Sequence, residues 1–338
     1  MDAEPTRRFS PRRVIMVGAA AVVVMITAVC LLSPWPATLV IRAVFDNGAQ
    51  QLRDQMRRNQ PELPIESRHD VPYGDGRDMI MDVFRPGGQT EPLPAIVWIH
   101  GGAWVSGSKA DVAPYLELLA HDGYVGIGLN YTRGPEATYP TAVEQLNAAL
   151  AHISANATEY GVDPDRIVLA GDSAGAQLAS QLATLITNPD YARLAELAPG
   201  IGAYQLAGVV LHCGVYDLAA LSLTDGIVGW GFRTAMWAYT GHRDWDERAA
   251  VDMMSTKNWV TPDFPPTFIS GGNGDGLTRP QSMAMAQALS HHGVEVTELF
   301  FPDDHEPSLP HEYQFHLDLA DAQLAYERTL GFLGSVTA

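Results

Sequence analysis

The sequence is poor in basic residues and in cysteine. Lys109 and Lys257 are its only lysines in 338 residues, and its formal net charge at pH 7 is −18. A chain this acidic repels phosphate groups, so we expect no nucleic-acid partner. Cys30 and Cys213 are the only cysteines, too few for a disulfide framework or a cysteine metal site. Apolar residues make up 46% of the chain, enough for a large buried core.

One long segment near the N-terminus carries no charge. Residues 14–32 read VIMVGAAAVVVMITAVCLL and follow four arginines. About 20 apolar residues cross a hydrocarbon core, and flanking positive charge stays in the cytoplasm. The segment therefore predicts a single-pass membrane protein: residues 1–33 form a cytoplasmic tail and a transmembrane signal anchor, and the rest is extracytoplasmic. Cleavage of the segment as a signal peptide, followed by secretion, is the alternative.

Two further regions follow the predicted anchor. Residues 34–64 contain an amphipathic pattern over 38–58, which predicts a helix that lies on a membrane, covers an active site or packs on the domain. Residues 65–338 are predicted to form one catalytic domain. Within that domain, residues 218–262 are rich in tryptophan and lack an obvious strand, as expected of a helical cap or an extra helix pair.

The pattern of the domain predicts an α/β fold with a mostly parallel central sheet and helices on both faces. Continuous apolar runs, typical of buried strands, alternate with stretches of helical periodicity. The predicted strands are 94–100, 124–131, 166–171, 208–214, 266–272 and 294–301, and the predicted helices are 111–122, 141–160, 174–187, 280–292 and 318–333.

Two glycine motifs follow predicted strands. LAGDSAG, residues 169–175, has the form G-x-S-x-G between a strand and a helix, which is the context of a nucleophile elbow and makes Ser173 the candidate nucleophile. WIHGGAW, residues 98–104, places consecutive glycines after another strand, where backbone N–H groups can converge on an oxyanion. The candidate oxyanion residues are Gly101, Gly102, Ala103 and Ala174, with the amides of the last three as the expected donors.

A serine nucleophile needs a base, and the base needs an orienting carboxylate. Asp275 lies in the glycine-rich loop GGNGDG after a strand and is favoured over Asp217, which follows the preceding strand. The base should follow the last strand, where FPDDHEPSLPHEYQFH offers His305 and His311. Their spacing does not fit the i, i+4 arrangement of a zinc motif, so we expect neither a metal nor another cofactor.

The combination of HGGAW, GDSAG, GNGDGLT and the terminal histidine loop resembles the hormone-sensitive-lipase-like branch of the α/β-hydrolase esterases, of an exported actinobacterial type. The resemblance covers most of residues 65–335 and implies an α/β-hydrolase fold with Ser173 as nucleophile, Asp275 as acid and the HGG segment as oxyanion loop. The sequence departs from that family at Ala103, where a glycine is common. Two alignments of the histidine compete: FPDDH favours His305, whereas HEYQF favours His311, which we choose.

The expected function is hydrolysis of carboxylic esters with apolar, short-to-medium acyl groups, through a Ser-His-Asp triad and an acyl-enzyme. The expected partners are a small-molecule or lipid ester and, through the N-terminal helix, a membrane. The alternatives are an amide hydrolase on the same fold, such as an arylformamidase or a peptidase, and a catalytically idle binding module of the cell envelope. The sequence does not indicate an oligomeric state.

Overall fold

An eight-stranded sheet forms the centre of the protein. The computed structural model describes residues 11–58, 64–222 and 225–338. The strands are β1 Ile65–Pro72, β2 Ile80–Pro86, β3 Leu93–Ile99, β4 Val125–Leu129, β5 Val162–Asp172, β6 Leu206–His212, β7 Thr267–Gly271 and β8 Val296–Phe300. Their order is β1-β2-β4-β3-β5-β6-β7-β8. Strands β3 to β8 pair in parallel, while β2 pairs antiparallel with both β1 and β4.

Twelve α-helices connect and cover the strands within the described ranges. They are α1 Pro11–Leu32, α2 Trp35–Arg58, α3 Ala113–His121, α4 Thr141–Ala155, α5 Ala157–Tyr160, α6 Ala174–Thr187, α7 Pro189–Leu194, α8 Leu218–Leu221, α9 Gly226–Thr240, α10 Ala249–Met254, α11 Ala284–His291 and α12 Ala320–Val336. Short 3₁₀ turns lie at Ala203–Gln205, Trp245–Glu247, Thr256–Trp259 and Tyr313–Phe315, and a π-helical turn at Thr278–Met283.

The sheet divides the core into two layers because successive strand side chains point to opposite faces. In β3, Val97 and Ile99 join one cluster with side chains of α4, α6 and α11. Ile96 and Trp98 join the other cluster, with side chains of α3 and α12. Both faces of the strand are therefore buried, which explains its continuous apolar run and confirms the predicted α/β fold.

The antiparallel pair β1 and β2 is absent from the strands predicted above. Most of β1 is exposed, and its sequence, IESRHDVP, has the polar composition of an edge strand. Without a continuous apolar run, such a strand gives little signal in the sequence. Between β6 and β7, the interval predicted as a cap holds α8, α9 and α10.

The predicted membrane anchor is wrong. The segment 14–32 belongs to α1, but among the described residues no helix is both long enough and apolar enough to cross a membrane. The single-pass topology and the membrane partner that we expected from that segment are therefore not supported. Residues 1–10 of the predicted cytoplasmic tail, and residues 59–63 between α2 and β1, lie outside the described residues.

Candidate active site

Ser173 occupies a sharp turn between β5 and α6. Its backbone has φ 51° and ψ −120°, a combination in the left-handed half of conformational space that ordinary residues avoid. The turn is held because the Ser173 N–H donates to the carbonyl of His212 at 2.9 Å. The close approach of α6 to β3 requires glycine, since a Cβ on Gly175 would lie 2.0 Å from the carbonyl oxygen of Ile99. The strand–turn–helix context thus presents the serine hydroxyl at the end of the sheet.

Three residues predicted from the sequence lie in one hydrogen-bonded row. The Nε2 atom of His311 is 3.0 Å from Ser173 Oγ, and its Nδ1 atom is 2.8 Å from Asp275 Oδ2. The carboxylate is only 5% exposed, while the imidazole is 36% exposed. This arrangement suits transfer of the serine proton to an imidazole whose other nitrogen is oriented by a carboxylate.

The loops that carry Asp275 and His311 are fastened to each other by Asn273. Its side-chain amide donates to the carbonyl of His305 at 2.9 Å, and its side-chain oxygen accepts the N–H of Leu309 at the same distance. The Gly274 N–H also donates to the Leu309 carbonyl at 2.9 Å. Sequence reasoning missed Asn273, although it lies two residues before the predicted acid.

The alternative acid and base lie elsewhere. Asp217 accepts the N–H of Ala220 at the start of α8 and pairs with the Lys257 ammonium at 2.5 Å. His305 packs against the ring of Phe301 and lies 3.1 Å from the carboxylate of Asp321. Both side chains therefore have structural partners away from Ser173.

The charge of His311 is set by its acidic neighbours. Removal from water would lower the pKa of the imidazole, but its hydrogen bond with Asp275 and the negative charges of Glu312, Asp275 and Asp172 raise that pKa to about 9. Glu312 lies on the side of the serine, with Oε1 3.9 Å from His311 Nε2. The surroundings therefore favour the imidazolium, the form that exists after the base has taken a proton.

Asp172 lies between Gly171 and Ser173 of the motif. Its buried carboxylate links β5 to β3 and to the loop that follows β3. Its carboxylate accepts Trp98 Nε1–H at 2.7 Å and the Gly101 N–H at 2.9 Å. Burial raises the pKa of Asp172 well above its ordinary value, and the nearby charge of Glu312 raises it further. The sequence predicted no role for Asp172 or Glu312; the first could have been noticed as an acid at the end of a buried strand.

The candidate oxyanion residues differ in one respect. The N–H of Gly101, which was not among the expected donors, donates to the carboxylate of Asp172 at 2.9 Å. No hydrogen bond among the described residues uses the N–H of Gly102, Ala103 or Ala174. Gly102 and Ala103 have φ of 101° and 50°, so the chain turns sharply where these two amides would meet a ligand.

A cavity of about 720 Å³ opens above these groups. Helix α2 contributes a wall of the cavity through Phe45, Ala49 and Leu52, and α9 contributes Val228 and Phe232. The sequence left three possible locations for this helix: on a membrane, over the active site, or packed on the domain. In the structure one face of α2 borders the cavity. The lining is mainly apolar and includes the acidic residues Asp111, Asp172, Asp275 and Glu312.

Comparison with known proteins places the chain among esterases. The BD-FAE family model matches residues 81–289. Esterase LipQ of Mycobacterium tuberculosis is 27% identical over 302 residues, which are 82% of this chain and 66% of LipQ, so the chain spans slightly less than two thirds of that relative. Carboxylesterase NlhH of the same species is 28% identical over 298 residues, 84% of this chain and 86% of NlhH.

Solved structures agree in fold. Esterase B from Lactobacillus rhamnosis superposes with a TM-score of 0.77 at 21% sequence identity, over 89% of this chain and 96% of that protein. The likeness confirms the predicted α/β-hydrolase fold. None of these matches supports the exported type expected from the N-terminal segment.

Proposed function

The chain belongs to the BD-FAE family of α/β-hydrolase esterases, and from that premise we propose that it is a serine carboxylesterase acting on esters with apolar, short-to-medium acyl groups. The observation that carries the proposal is the position of His311, whose two ring nitrogens lie within 3.0 Å of Ser173 and Asp275. The names of the relatives, an esterase and a carboxylesterase, agree with this activity.

In the proposed first half-reaction, Ser173 Oγ attacks the ester carbonyl carbon and its proton passes to His311 Nε2. The carbonyl oxygen becomes an oxyanion that accepts the N–H groups of Gly102, Ala103 and Ala174. Asp275 holds the imidazole in orientation and stabilises its positive charge. When the tetrahedral intermediate collapses, the carbon–oxygen bond to the alcohol breaks and His311 returns the proton to the departing alcohol.

In the second half-reaction, a water molecule replaces the alcohol. His311 takes a proton from the water as its oxygen attacks the acyl carbon, and the bond to Ser173 breaks as the proton passes to Oγ. The carboxylic acid then leaves. The apolar cavity wall formed by α2 and α9 supports an apolar acyl group, since burial of its methylenes contributes about 0.8 kcal/mol each.

The test is hydrolysis of p-nitrophenyl butyrate by the full chain. Replacement of Ser173 or His311 by alanine should lower kcat by about 10⁴-fold to 10⁶-fold, because the triad acts as a unit. His305→Ala is the matched control, since it removes an imidazole of the same loop that has a partner in Asp321, and it should keep most of the activity.

Three outcomes would contradict parts of the proposal. Collapse of kcat in His305→Ala but not in His311→Ala would move the base to His305. An active wild type that prefers the matched p-nitroanilide to the ester would favour an amide hydrolase. An inactive wild type whose Ser173 does not react with a fluorophosphonate would favour a binding module without catalysis.

A further inference from the structure

The oxyanion loop is held by contacts with a helix that lies outside the central sheet. Within the loop, the carbonyl of Gly102 accepts the N–H of Val105 at 3.1 Å and that of Ser106 at 2.9 Å, which closes a tight turn. The candidate donors Gly102 and Ala103 lie at the start of this turn, and Val105 and Ser106 lie at its end. Any group that fixes the end of the turn also fixes the direction of the two amides.

Helix α2 supplies two such groups from one face. Arg42 Nε donates to the carbonyl of Val105, and Asp46 accepts a hydrogen bond of 2.5 Å from the hydroxyl of Ser106. Residues four apart lie on the same side of a helix, one turn from each other. Both residues precede the segment 81–289 that matches the family model, so these contacts join a flanking helix to the catalytic loop.

Arg42 is itself immobilised. Its Nη2 atom donates to the carbonyl of Gly134 at 2.7 Å, and the guanidinium forms a two-pronged ion pair with Glu136. Burial would raise the pKa of Glu136, but its hydrogen bond with Arg42 and the positive charge hold that pKa below its ordinary value. The side chain of Arg42 is only 14% exposed. A half-buried arginine whose three guanidinium nitrogens are all bonded is a rigid support rather than a surface contact.

We infer that Arg42 and Asp46 are positioning residues for ester hydrolysis, which hold the turn 102–106 so that the Gly102 and Ala103 amides point at the oxyanion. The inference rests on the proposed function. It separates two roles of α2, whose apolar residues wall the cavity and whose Arg42 and Asp46 hold the catalytic loop. Since oxyanion donors act most strongly in the transition state, loss of this support should reduce kcat and leave KM nearly unchanged.

The chain offers a control on the same helix. Arg57 reaches Glu117 of α3 at 3.6 Å, so it ties α2 to the domain without touching the loop. If α2 needed only to be attached, Arg57→Ala and Arg42→Ala would behave alike. If the loop contact matters, the two variants would differ in kcat.

The experiment measures kcat and KM for p-nitrophenyl butyrate, together with inhibition by a butyl trifluoromethyl ketone, whose adduct with Ser173 bears an oxyanion. Arg42→Ala and Asp46→Ala should lower kcat by about tenfold to a hundredfold, the effect of a displaced catalytic group. The inhibition constant should rise by the same factor as kcat/KM falls. Asp46→Asn keeps an oxygen acceptor for Ser106 and should retain most of the kcat, as should Arg57→Ala.

Ser106→Ala removes the donor of the hydrogen bond to Asp46 and leaves α2 unchanged. It therefore tests the inference even if an α2 variant does not fold. Its loss of kcat should match that of Asp46→Ala, and the double variant should lose no more than either one. A rise in KM without a change in kcat, or equal losses in Arg57→Ala, overturns the inference. So does an active, Ser173-dependent wild type whose Arg42→Ala variant keeps its kcat. A wild type without Ser173-dependent ester hydrolysis overturns the proposed function as well.

Discussion

At the scale of single residues, Glu312 adds to the effect of Asp275 on the charge of the proposed base. The carboxylate lies 3.9 Å from His311 Nε2, on the nitrogen that faces Ser173. A negative charge there stabilises the imidazolium produced when the serine proton is transferred, but it also keeps the free enzyme's imidazole protonated to higher pH. The same contact therefore stabilises the transition state and raises the pH at which the imidazole of the free enzyme loses its proton and can act as a base.

We predict that kcat/KM for p-nitrophenyl butyrate rises with pH as His311 loses its proton, with a midpoint near its pKa of about 9. In Glu312→Gln a negative charge is lost, the protonated form is less favoured and the pKa falls. The rising limb should move to lower pH by about half a unit to one unit, the size expected for a charge at this distance in a largely aqueous setting.

The control is Glu327→Gln, which changes the net charge equally at an exposed position of α12. Its pH profile should overlay that of the wild type. If the pH profile of Glu312→Gln also overlays that of the wild type, the Glu312 carboxylate does not influence the group that titrates. Another residue then sets the position of the rising limb.

How far the sequence predicts the site depends on whether a residue belongs to a local motif. Ser173 and Asp275 follow buried strands in glycine-rich turns, so local context indicated them, although Asp275 had to be chosen over Asp217. His311 needed a choice between two histidines of one loop, because a sequence gives the order of residues but not the path of an insertion. The environment of Glu312 was not predictable, since its neighbour Asp172 is distant in sequence.

At the scale of secondary-structure elements, the approach of α6 to β3 sets the elbow. Gly175 lies in the first turn of α6, and an added Cβ would meet the carbonyl oxygens of Ile99 at 2.0 Å and His100 at 2.6 Å. Both are backbone atoms at the end of β3, so neither can move aside without disturbing the HGG turn that follows. This packing ties the serine turn to the HGG turn.

Gly175→Ala should therefore lower the free energy of unfolding by about 1–3 kcal/mol, the cost typical of overpacking. Urea denaturation followed by circular dichroism measures it. Gly331→Ala is the matched control in α12, where a Cβ meets no atom within 4 Å. There the substitution should stabilise the protein by up to about 1 kcal/mol, because alanine is the better helix former. Equal effects at both positions would mean that α6 can shift away from β3.

Elements were predictable where burial on both faces produced a continuous apolar run. The strands from β3 to β7 met that condition, whereas β1 is an exposed edge strand whose polar sequence is held by pairing with β2. Strand β8, the edge strand on the other side of the sheet, is only partly buried. The position of α2 over the cavity was one of several open possibilities. Its amphipathic pattern specifies an apolar face but not the surface that the face contacts, which long-range bonds such as Arg42 to Gly134 determine.

At the scale of the whole molecule, the net charge of −18 acts on every substrate that approaches the cavity. The cavity lining adds the carboxyl groups of Asp111, Asp172, Asp275 and Glu312, and no lysine or arginine among the described residues lines it. A cleft with apolar walls focuses the potential of the charges that line it, and here the carboxylates outnumber the one imidazolium, that of His311. The chain should therefore disfavour esters that carry a negative charge.

We predict that kcat/KM for mono-p-nitrophenyl glutarate is lower than for p-nitrophenyl pentanoate, a neutral ester with an acyl chain of the same length. Raising the ionic strength from 10 mM to 500 mM should increase the value for the anionic ester by about threefold to tenfold, because salt shortens the range of the repulsion from about 30 Å to only a few ångströms. The neutral ester should respond little and serves as the control. If both esters respond alike, salt acts on the protein's conformation instead. If the anionic ester reacts faster at low salt, the positive charge of the His311 imidazolium outweighs the acidic lining.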